Sequence, residues 1–263
     1  VPSTWRVRPE LIAGSGPMDP DITLLRVETL DGAVLAAVTN FGCHPSVALM
    51  SSKLSGDYLG EAMAVDASLG LLIDEVKKIG ELDNTLIVVS GDHGAPGFPH
   101  GKCNLYSFGT GVSLAIAGPG VRGGRVVQDF VNLTDLAPTF LEAGQVAAPA
   151  VMTGRSLWPV LKSDRQGLVD PKRTWVVTGR ERHVATARAG GLPYPHRSIR
   201  TAEYRLIINF KPDRYPMGDP DNLAGANPPT QEELTENTFA TFADMDASPT
   251  KAWLVCQRNN PQR

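Results

Sequence analysis

The segment LIVVSGDHGAPGFPHGK, residues 86–102, decides how the chain folds. Four apolar residues form a strand-like run, and Asp92 and His93 follow it between two glycines. Ligand sites of α/β sheets lie at the carboxyl ends of strands, which is where this pair stands. A carboxylate oxygen beside an imidazole nitrogen is also a natural ligand pair for zinc or manganese. The alternative interpretation of the same residues is a solvated turn after a buried strand.

The pattern on both sides of this segment predicts an α/β organisation. Two β-rich runs, residues 22–29 and 33–40, flank Asp31-Gly32, a dipeptide that favours a hairpin turn. Apolar residues at helical spacing between positions 69 and 79 predict an amphipathic helix that Gly80 ends. The remaining elements are strands at 86–89, 112–117 and 175–178, a capped helix over 134–144, a hairpin over 198–210, and an extended tail from residue 211.

Composition excludes several classes of protein. Hydrophobic residues make up 42% and charged residues 20% of the 263 residues, a balance typical of globular domains. The net charge of −3 favours neither nucleic acid nor an anionic membrane as a partner. No apolar run approaches the roughly 20 residues that span a bilayer. Three widely spaced cysteines give neither a disulfide framework nor a Cys-x-x-Cys metal site.

Several motifs carry a family resemblance over about residues 83–251. They are NTLIVVSGDHGAPGFPHGKCNLYSFGTGVSLAIAGPG, VNLTDLAPTFLEAG, GRERHV, YPHRSIRTAEYRLIINFKPDRYP and FADMDASPTK. This stretch resembles the C-terminal half of a sulfatase of the alkaline phosphatase superfamily, of the heparan N-sulfatase (sulfamidase) kind. The resemblance implies that Asp92 and His93 ligate a divalent metal and that Lys102 faces the sulfate. The implied fold is a truncated sulfatase-like mixed sheet flanked by helices, with an added N-terminal β-hairpin.

The N-terminal half of a sulfatase also carries a Cys-or-Ser-x-Pro-x-Arg motif, whose first residue becomes the formylglycine nucleophile. The nearest match in this chain is CHPSV, from Cys43 to Val47, with valine where the family has arginine. The segment therefore departs from the family pattern at Val47, and conversion of Cys43 to formylglycine is the alternative hypothesis for the nucleophile.

A second resemblance covers about residues 20–66. DITLLRVETLDGAVLAAVTNFGCHPSV, followed by LSGDYLGEAM, resembles neutral ceramidases and their bacterial relatives. It implies that His44 is a zinc ligand and that Asp57 is the nearby aspartate. The chain is then a fusion, with an N-terminal arm and hairpin over residues 1–66 and a sulfatase-like α/β domain with a tail over residues 67–263.

The two resemblances together imply a composite metal site. Asp92, His93, His44 and Asp57 would provide two imidazoles and two carboxylates, a ligand set for catalytic zinc with a position left for water. Zinc is the preferred ion, and manganese and calcium are the alternatives. Lys102 supplies positive charge to the substrate, and His100 is the second candidate catalytic residue at the mouth of the site. His44 as a simple strand-end residue is the competing interpretation.

Metal-bound hydroxide suits activated esters, since a bound ion lowers the pKa of water toward about 7. We therefore predict hydrolysis of phosphotriesters, with aryl phosphodiesters and aryl esters as related substrates. The alternatives are a sulfatase or sulfamidase that uses Cys43 and an inactive fragment that binds metal without catalysis. The predicted partners are a small-molecule ester and a second copy of the chain. A homodimer would cover the edges and apolar surface of an incomplete sheet.

Overall fold

The computed structural model describes residues 5–6, 21–28, 34–40 and 57–260, with side chains from residue 66 onward. The strands are β1 (Trp5–Arg6), β2 (Asp21–Glu28), β3 (Val34–Asn40), β4 (Ile87–Ser90), β5 (Leu114–Ala117), β6 (Trp175–Arg180), β7 (His196–Thr201) and β8 (Arg205–Asn209). The helices are α1 (Asp57–Lys78), α2 (Ser107–Thr110), α3 (Leu136–Ala143), α4 (Trp158–Lys162), α5 (Gln231–Glu236) and α6 (Pro249–Cys256). The predicted α/β class is confirmed.

The described strands form three small sheets, in the orders β1-β2-β3, β4-β5 and β6-β7-β8. The hairpin predicted around Asp31-Gly32 is confirmed, because β2 and β3 pair antiparallel with Thr23 opposite Asn40. The hairpin predicted over residues 198–210 is also confirmed, as β7 and β8. None of the described helices is both long and apolar enough to cross a membrane.

Two parts of the chain differ from the sequence-based prediction. Helix α1 begins at Asp57, well before the first apolar residue of the predicted helix, and ends near Gly80, which has a φ of 78°. Its first turns contain Ala62, Met63 and Ala64, residue types of high helix propensity. The region predicted as an extended tail contains α5 and α6 instead. A capping box between Thr230 and Glu233 starts α5, and Ser248 caps α6.

The chain divides into two compact units, each described separately. The first comprises residues 1–45, 57–89 and 115–173. A buried ion pair stabilises it, since Arg173 Nη1 lies 2.8 Å from Asp135 Oδ2 and the second guanidinium nitrogen donates to the carbonyls of Arg155 and Ser156. Asp129 accepts hydrogen bonds from the amides of Val169 and Asp170 in the same unit. The boundary at residue 66 stays a prediction.

The second unit comprises residues 46–56, 90–114 and 174–263. Its apolar core lies between α5 and α6, where Leu234, Ala252 and Val255 are buried. The inner face of β7 is polar and buried, with His196 and Ser198 only 5% and 3% exposed. Burial and nearby arginines lower the pKa of His196 to about 4, which keeps this imidazole neutral at physiological pH.

The opposite face of the β6-β7-β8 sheet is apolar and open. Alternate residues of a strand point to the same side of a sheet, and the register of β6, β7 and β8 places one such set from each strand on the outer side. The apolar residues of this outer face are Trp175, Val177, Ile199, Leu206 and Ile208, each between 40% and 57% exposed, and the charged Arg197 lies on the same face.

Candidate functional site

The segment between β4 and β5, residues 91–113, carries Asp92, His93, His100 and Lys102 and is called the site loop here. Backbone hydrogen bonds close it across its width, from Gly91 N to Ser113 O, Gly94 N to Gly109 O and Lys102 N to Ala95 O. Its packing leaves no room for a side chain at Gly94, where a Cβ atom would lie 1.9 Å from Phe108 O. The same holds for Gly109, where a Cβ atom would lie 2.2 Å from Gly101 O. The loop is therefore fixed by backbone contacts.

Asp92 and His93 project from the start of this loop. His93 Nε2 lies 3.5 Å from Asp92 Oδ2, and its Nδ1 lies 2.8 Å from the carbonyl of Gly94. A proton on Nδ1 would donate to the Gly94 carbonyl, which leaves Nε2 as the ring nitrogen that could ligate a metal. The Asp92 side chain is 83% exposed, and that of His93 is 27% exposed.

This geometry fits a divalent metal ion as two of its ligands. The carboxylate oxygen and the imidazole nitrogen would be two of the ligands of that ion, and the imidazole nitrogen is a better ligand for zinc than for calcium.

The other predicted ligands cannot be placed against this pair. His44 and Cys43 lie outside the described residues, and Asp57 is described only as the backbone start of α1. Among residues with described side chains, no group of three or more His, Cys, Asp or Glu could hold a metal. The composite site and the identity of the ion as zinc stay predictions.

Lys102 and His100 occupy different surroundings on the loop. Lys102 Nζ lies 3.1 Å from Asp246 Oδ2, in a pair whose side chains are 15% and 20% exposed. His100 is exposed, has a φ of 63°, and packs its ring 4.2 Å from that of Tyr106. Its role as a catalytic residue stays a prediction, as does that of Lys102.

A buried ionic cluster lies behind Lys102. Asp244 is fully buried and interacts with Arg188 at 2.8 Å, Arg180 at 3.6 Å and His183 at 3.5 Å. Arg180 also donates to the carbonyl of Cys103, the neighbour of Lys102. Burial acts to raise the pKa of Asp244, but the His183 hydrogen bond and the two arginines outweigh it, and the pKa lies below its ordinary value.

Lys251 completes the positive charge of this part of the unit. It is fully buried, and its ammonium donates to the carbonyls of Thr238 and Met245. Burial lowers its pKa to about 8, so it is still protonated at neutral pH. The six side chains Lys102, Arg180, Arg188, Asp244, Asp246 and Lys251 carry four positive and two negative charges.

Sequence reasoning missed the partners that hold the predicted residues. Asp244, Asp246 and Lys251 all lie in FADMDASPTK, and Arg180 and His183 lie in GRERHV. Both segments were recognised as family motifs, but no local pattern in them indicates which distant side chain each residue contacts. The pair of Lys102 with Asp246 follows only from the folded chain.

Two family models match the chain. The family described as Sulfatase matches residues 30–146, and the family described as N-sulphoglucosamine sulphohydrolase, C-terminal, matches residues 99–224. Both matches contain Lys102, and the first contains the whole site loop. They support a sulfatase domain of the alkaline phosphatase superfamily with a C-terminal part of the sulfamidase kind. Each match covers just under half of the chain, so the class of protein to which these residues are similar is the sulfatases.

Individual proteins similar to this chain are also sulfatases by name. The chain is 40% identical over 157 residues to the extracellular sulfatase SULF-1 homolog of Drosophila melanogaster, a match that covers 56% of this chain and 14% of the relative. It is 32% identical over 160 residues to the human N-sulphoglucosamine sulphohydrolase, covering 56% of this chain and 30% of the relative. The chain thus spans less than a third of the length of either protein.

One similar solved structure is a protein in complex with its substrate D-glucosamine-2-N,6-O-disulfate. It is 32% identical to this chain, with a TM-score of 0.49, and the match covers 57% of this chain and 30% of that one. The comparisons give no support to the ceramidase-like resemblance of residues 20–66. The Sulfatase model instead extends into that segment from residue 30. The fusion of two families stays a prediction.

Proposed function

We propose that the site loop forms the metal-binding and anion-binding half of a sulfatase-type active site. The observation that carries this proposal is the placement of Asp92, His93 and Lys102 on one backbone-fixed loop inside the Sulfatase match. The substrate class is a sulfate monoester or sulfamate of an amino sugar, as the names of the relatives suggest. Hydrolysis breaks the S–O or S–N bond, adds the oxygen of water to sulfur, and returns a proton to the alcohol or amine.

Each described residue has a separate task in this proposal. Asp92 and His93 would hold the divalent ion, which supplies Lewis-acid stabilisation of the charge on the sulfo group. The Lys102 ammonium binds a sulfo oxygen through the donors that Asp246 does not use. The buried cluster around Asp244 adds a positive field and fixes the backbone of Cys103 beside Lys102. The nucleophile is not assigned to a described residue, and Cys43 is the candidate that sequence offers.

The phosphotriesterase reading remains a second candidate on one observation. Asp246 neutralises part of the charge of Lys102, and a neutral triester needs less positive charge than a sulfate ester. In this candidate mechanism the attacking group is water, Asp92 and His93 would hold the ion that lowers the pKa of that water, and Cys43 takes no part. The chain would then cleave a P–O bond and release the aryl alcohol.

A substrate panel tests the two candidates together. Protein purified without added metal is assayed after addition of zinc, manganese or calcium, with an aryl sulfate, an N-sulfated glucosaminide and an aryl phosphotriester. Sulfo-group release that Lys102→Ala reduces supports the sulfatase proposal, and mass spectrometry of the Cys43 peptide shows whether that residue is converted. Phosphotriester turnover that survives Cys43→Ala supports the second candidate. Metal binding without turnover of any substrate identifies a non-catalytic module and rejects both.

A further inference from the structure

The ammonium of Lys102 is held by one carboxylate. Asp246 Oδ2 lies 3.1 Å from Lys102 Nζ, and both side chains are mostly shielded from solvent. A lysine ammonium has three N–H donors, and Asp246 is the only ion-pair partner of Lys102 among the residues that the structure describes. N–H donors of Lys102 therefore remain for a ligand, but the carboxylate of Asp246 already neutralises part of the charge of this ammonium.

The position of Asp246 is fixed by its own segment. The amide of Asp244 donates to Met217 O, and the amide of Met245 donates to Phe242 O. The carbonyl of Met245 accepts from the buried ammonium of Lys251. The backbone on the N-terminal side of Asp246 is thus tied down, so the carboxylate cannot withdraw from Lys102 by a simple movement of its chain.

We propose that Asp246 is a specificity-determining residue, which positions Lys102 and lowers the affinity of the site for doubly charged anions relative to singly charged ones. This inference rests on the proposed function, in which Lys102 binds an oxygen of the substrate. Such an oxygen lies within about 6 Å of the Asp246 carboxylate, because that is the sum of two hydrogen-bond distances. The repulsion between them scales with the charge on the anion, so a dianion is penalised about twice as much as a monoanion.

The consequence for substrates is a charge filter. Sulfate monoesters and sulfamates carry one negative charge, whereas phosphate monoesters and inorganic sulfate carry close to two at neutral pH. Asp246 favours the first group and weakens retention of sulfate, the product of the proposed reaction. If Asp246 only holds Lys102 in place, its mutation should have the opposite effect, since a more mobile Lys102 would bind every anion more weakly.

Calorimetric titration of the full chain with inorganic sulfate and with methyl sulfate tests this inference, at constant ionic strength. In Asp246→Asn we expect about tenfold tighter binding of sulfate and about threefold tighter binding of methyl sulfate, as expected for removal of one charge at this distance. Adding Lys102→Ala to Asp246→Asn should remove both gains. The control Glu203→Gln makes the same change in net charge at an exposed position in the β7–β8 turn and should leave both affinities unchanged.

The outcomes separate the inference from the function on which it rests. If Lys102→Ala weakens anion binding but a folded Asp246→Asn does not bind sulfate more tightly, the charge filter is wrong and the anion site stands. If Lys102→Ala changes anion affinity neither in the wild type nor in Asp246→Asn, Lys102 does not bind the anion and the proposed function is wrong. Should Asp246→Asn not fold, Asp246→Ser takes its place, and a folded Asp246→Ser that binds sulfate no more tightly than the wild type overturns the filter.

Discussion

The guanidinium of Arg188 lies 2.8 Å from the carboxylate of Asp244, and neither side chain is appreciably exposed. Two more basic side chains, Arg180 and His183, approach the same carboxylate. A buried carboxylate with these partners is stable only while it is ionised, since its neutral form would leave the arginine charges unbalanced. The second unit is therefore expected to be sensitive to acid at this one residue.

The pKa of Asp244 is depressed in the folded chain, so the sign of the pH effect is defined. Its contribution to stability is present above the ordinary value of 3.8 and is lost as the pH falls through the lower folded value. Asp244→Asn should cost about 3–5 kcal/mol at neutral pH, because the arginines lose their counter-ion. Urea unfolding at a series of acid pH values should show that the free energy of unfolding of the variant falls less steeply with decreasing pH than that of the wild type. The same pH dependence in both proteins would show that Asp244 is not the residue responsible.

The metal pair gives a prediction that separates binding from folding. Asp92 is 83% exposed, so Asp92→Ala should change the free energy of unfolding by no more than about 0.5 kcal/mol. The affinity of the chain for a divalent ion should nevertheless fall by at least about tenfold, because the substitution removes one of the two proposed ligands. Calorimetric titration with zinc and with calcium measures this. Asp213→Ala, which removes another exposed carboxylate, is the matched control. Undiminished metal binding in Asp92→Ala would remove this pair as the site.

Lys251 should make stability rise with pH in the alkaline range. Its pKa is about 8 in the folded chain against an ordinary value of 10.5, because burial penalises the charged form. Between these values the unfolded chain binds a proton that the folded chain does not, so the free energy of unfolding increases with pH. Denaturant unfolding between pH 8 and pH 10.5 should show this rise in the wild type and not in Lys251→Met.

The same variant leaves two carbonyls, of Thr238 and Met245, without their donor. We expect Lys251→Met to cost about 2–4 kcal/mol at pH 7 through these unsatisfied acceptors. Lys211→Met, at an exposed lysine, should stay within about 0.5 kcal/mol. A Lys251→Met variant as stable as the wild type would show that the buried ammonium costs as much as its hydrogen bonds contribute.

The outer face of the β6-β7-β8 sheet leads to a prediction about assembly. Its five apolar side chains expose on the order of 500 Å², which is toward the upper end of what monomeric proteins show. We expect a homodimer through this face, with a mass about twice 28.2 kDa in sedimentation velocity. Ile208→Lys should shift the chain toward monomer, and Glu232→Lys on α5 should not. A wild-type chain that stays monomeric at micromolar concentration would rule this dimer out.

The sequence predicted those features that depend on neighbouring residues. The β2–β3 hairpin, the strand before Asp92 and the helix end near Gly80 all follow from local conformational preferences. The start of α5 was also readable, because Thr230 and Glu233 have capping-box spacing, but the Pro- and Asn-rich surroundings obscured it. The early start of α1 was missed because Gly60 and Gly70 stand in this stretch, and glycine disfavours the interior of a helix.

The partners of the site residues were beyond sequence reasoning. Lys102 and Asp246 come from distant parts of the chain, and either could have paired with many other charges. No local pattern marks His183, yet its contact with Asp244 makes it part of a buried network. Only the fold decides which residues share an environment.

The close packing at Gly94 and Gly109 has a consequence for how this loop can change over many generations. Any side chain at either position would overlap a backbone oxygen, so single substitutions there are expected to be lost to selection. Variation that survives must therefore enter through side chains that rest against the loop from elsewhere, such as Asp246. In a saturation library, we expect the two glycines to be intolerant while changes at position 246 persist and alter ligand preference. The backbone of the site loop would then be conserved, whereas the ligand preference of the site could change.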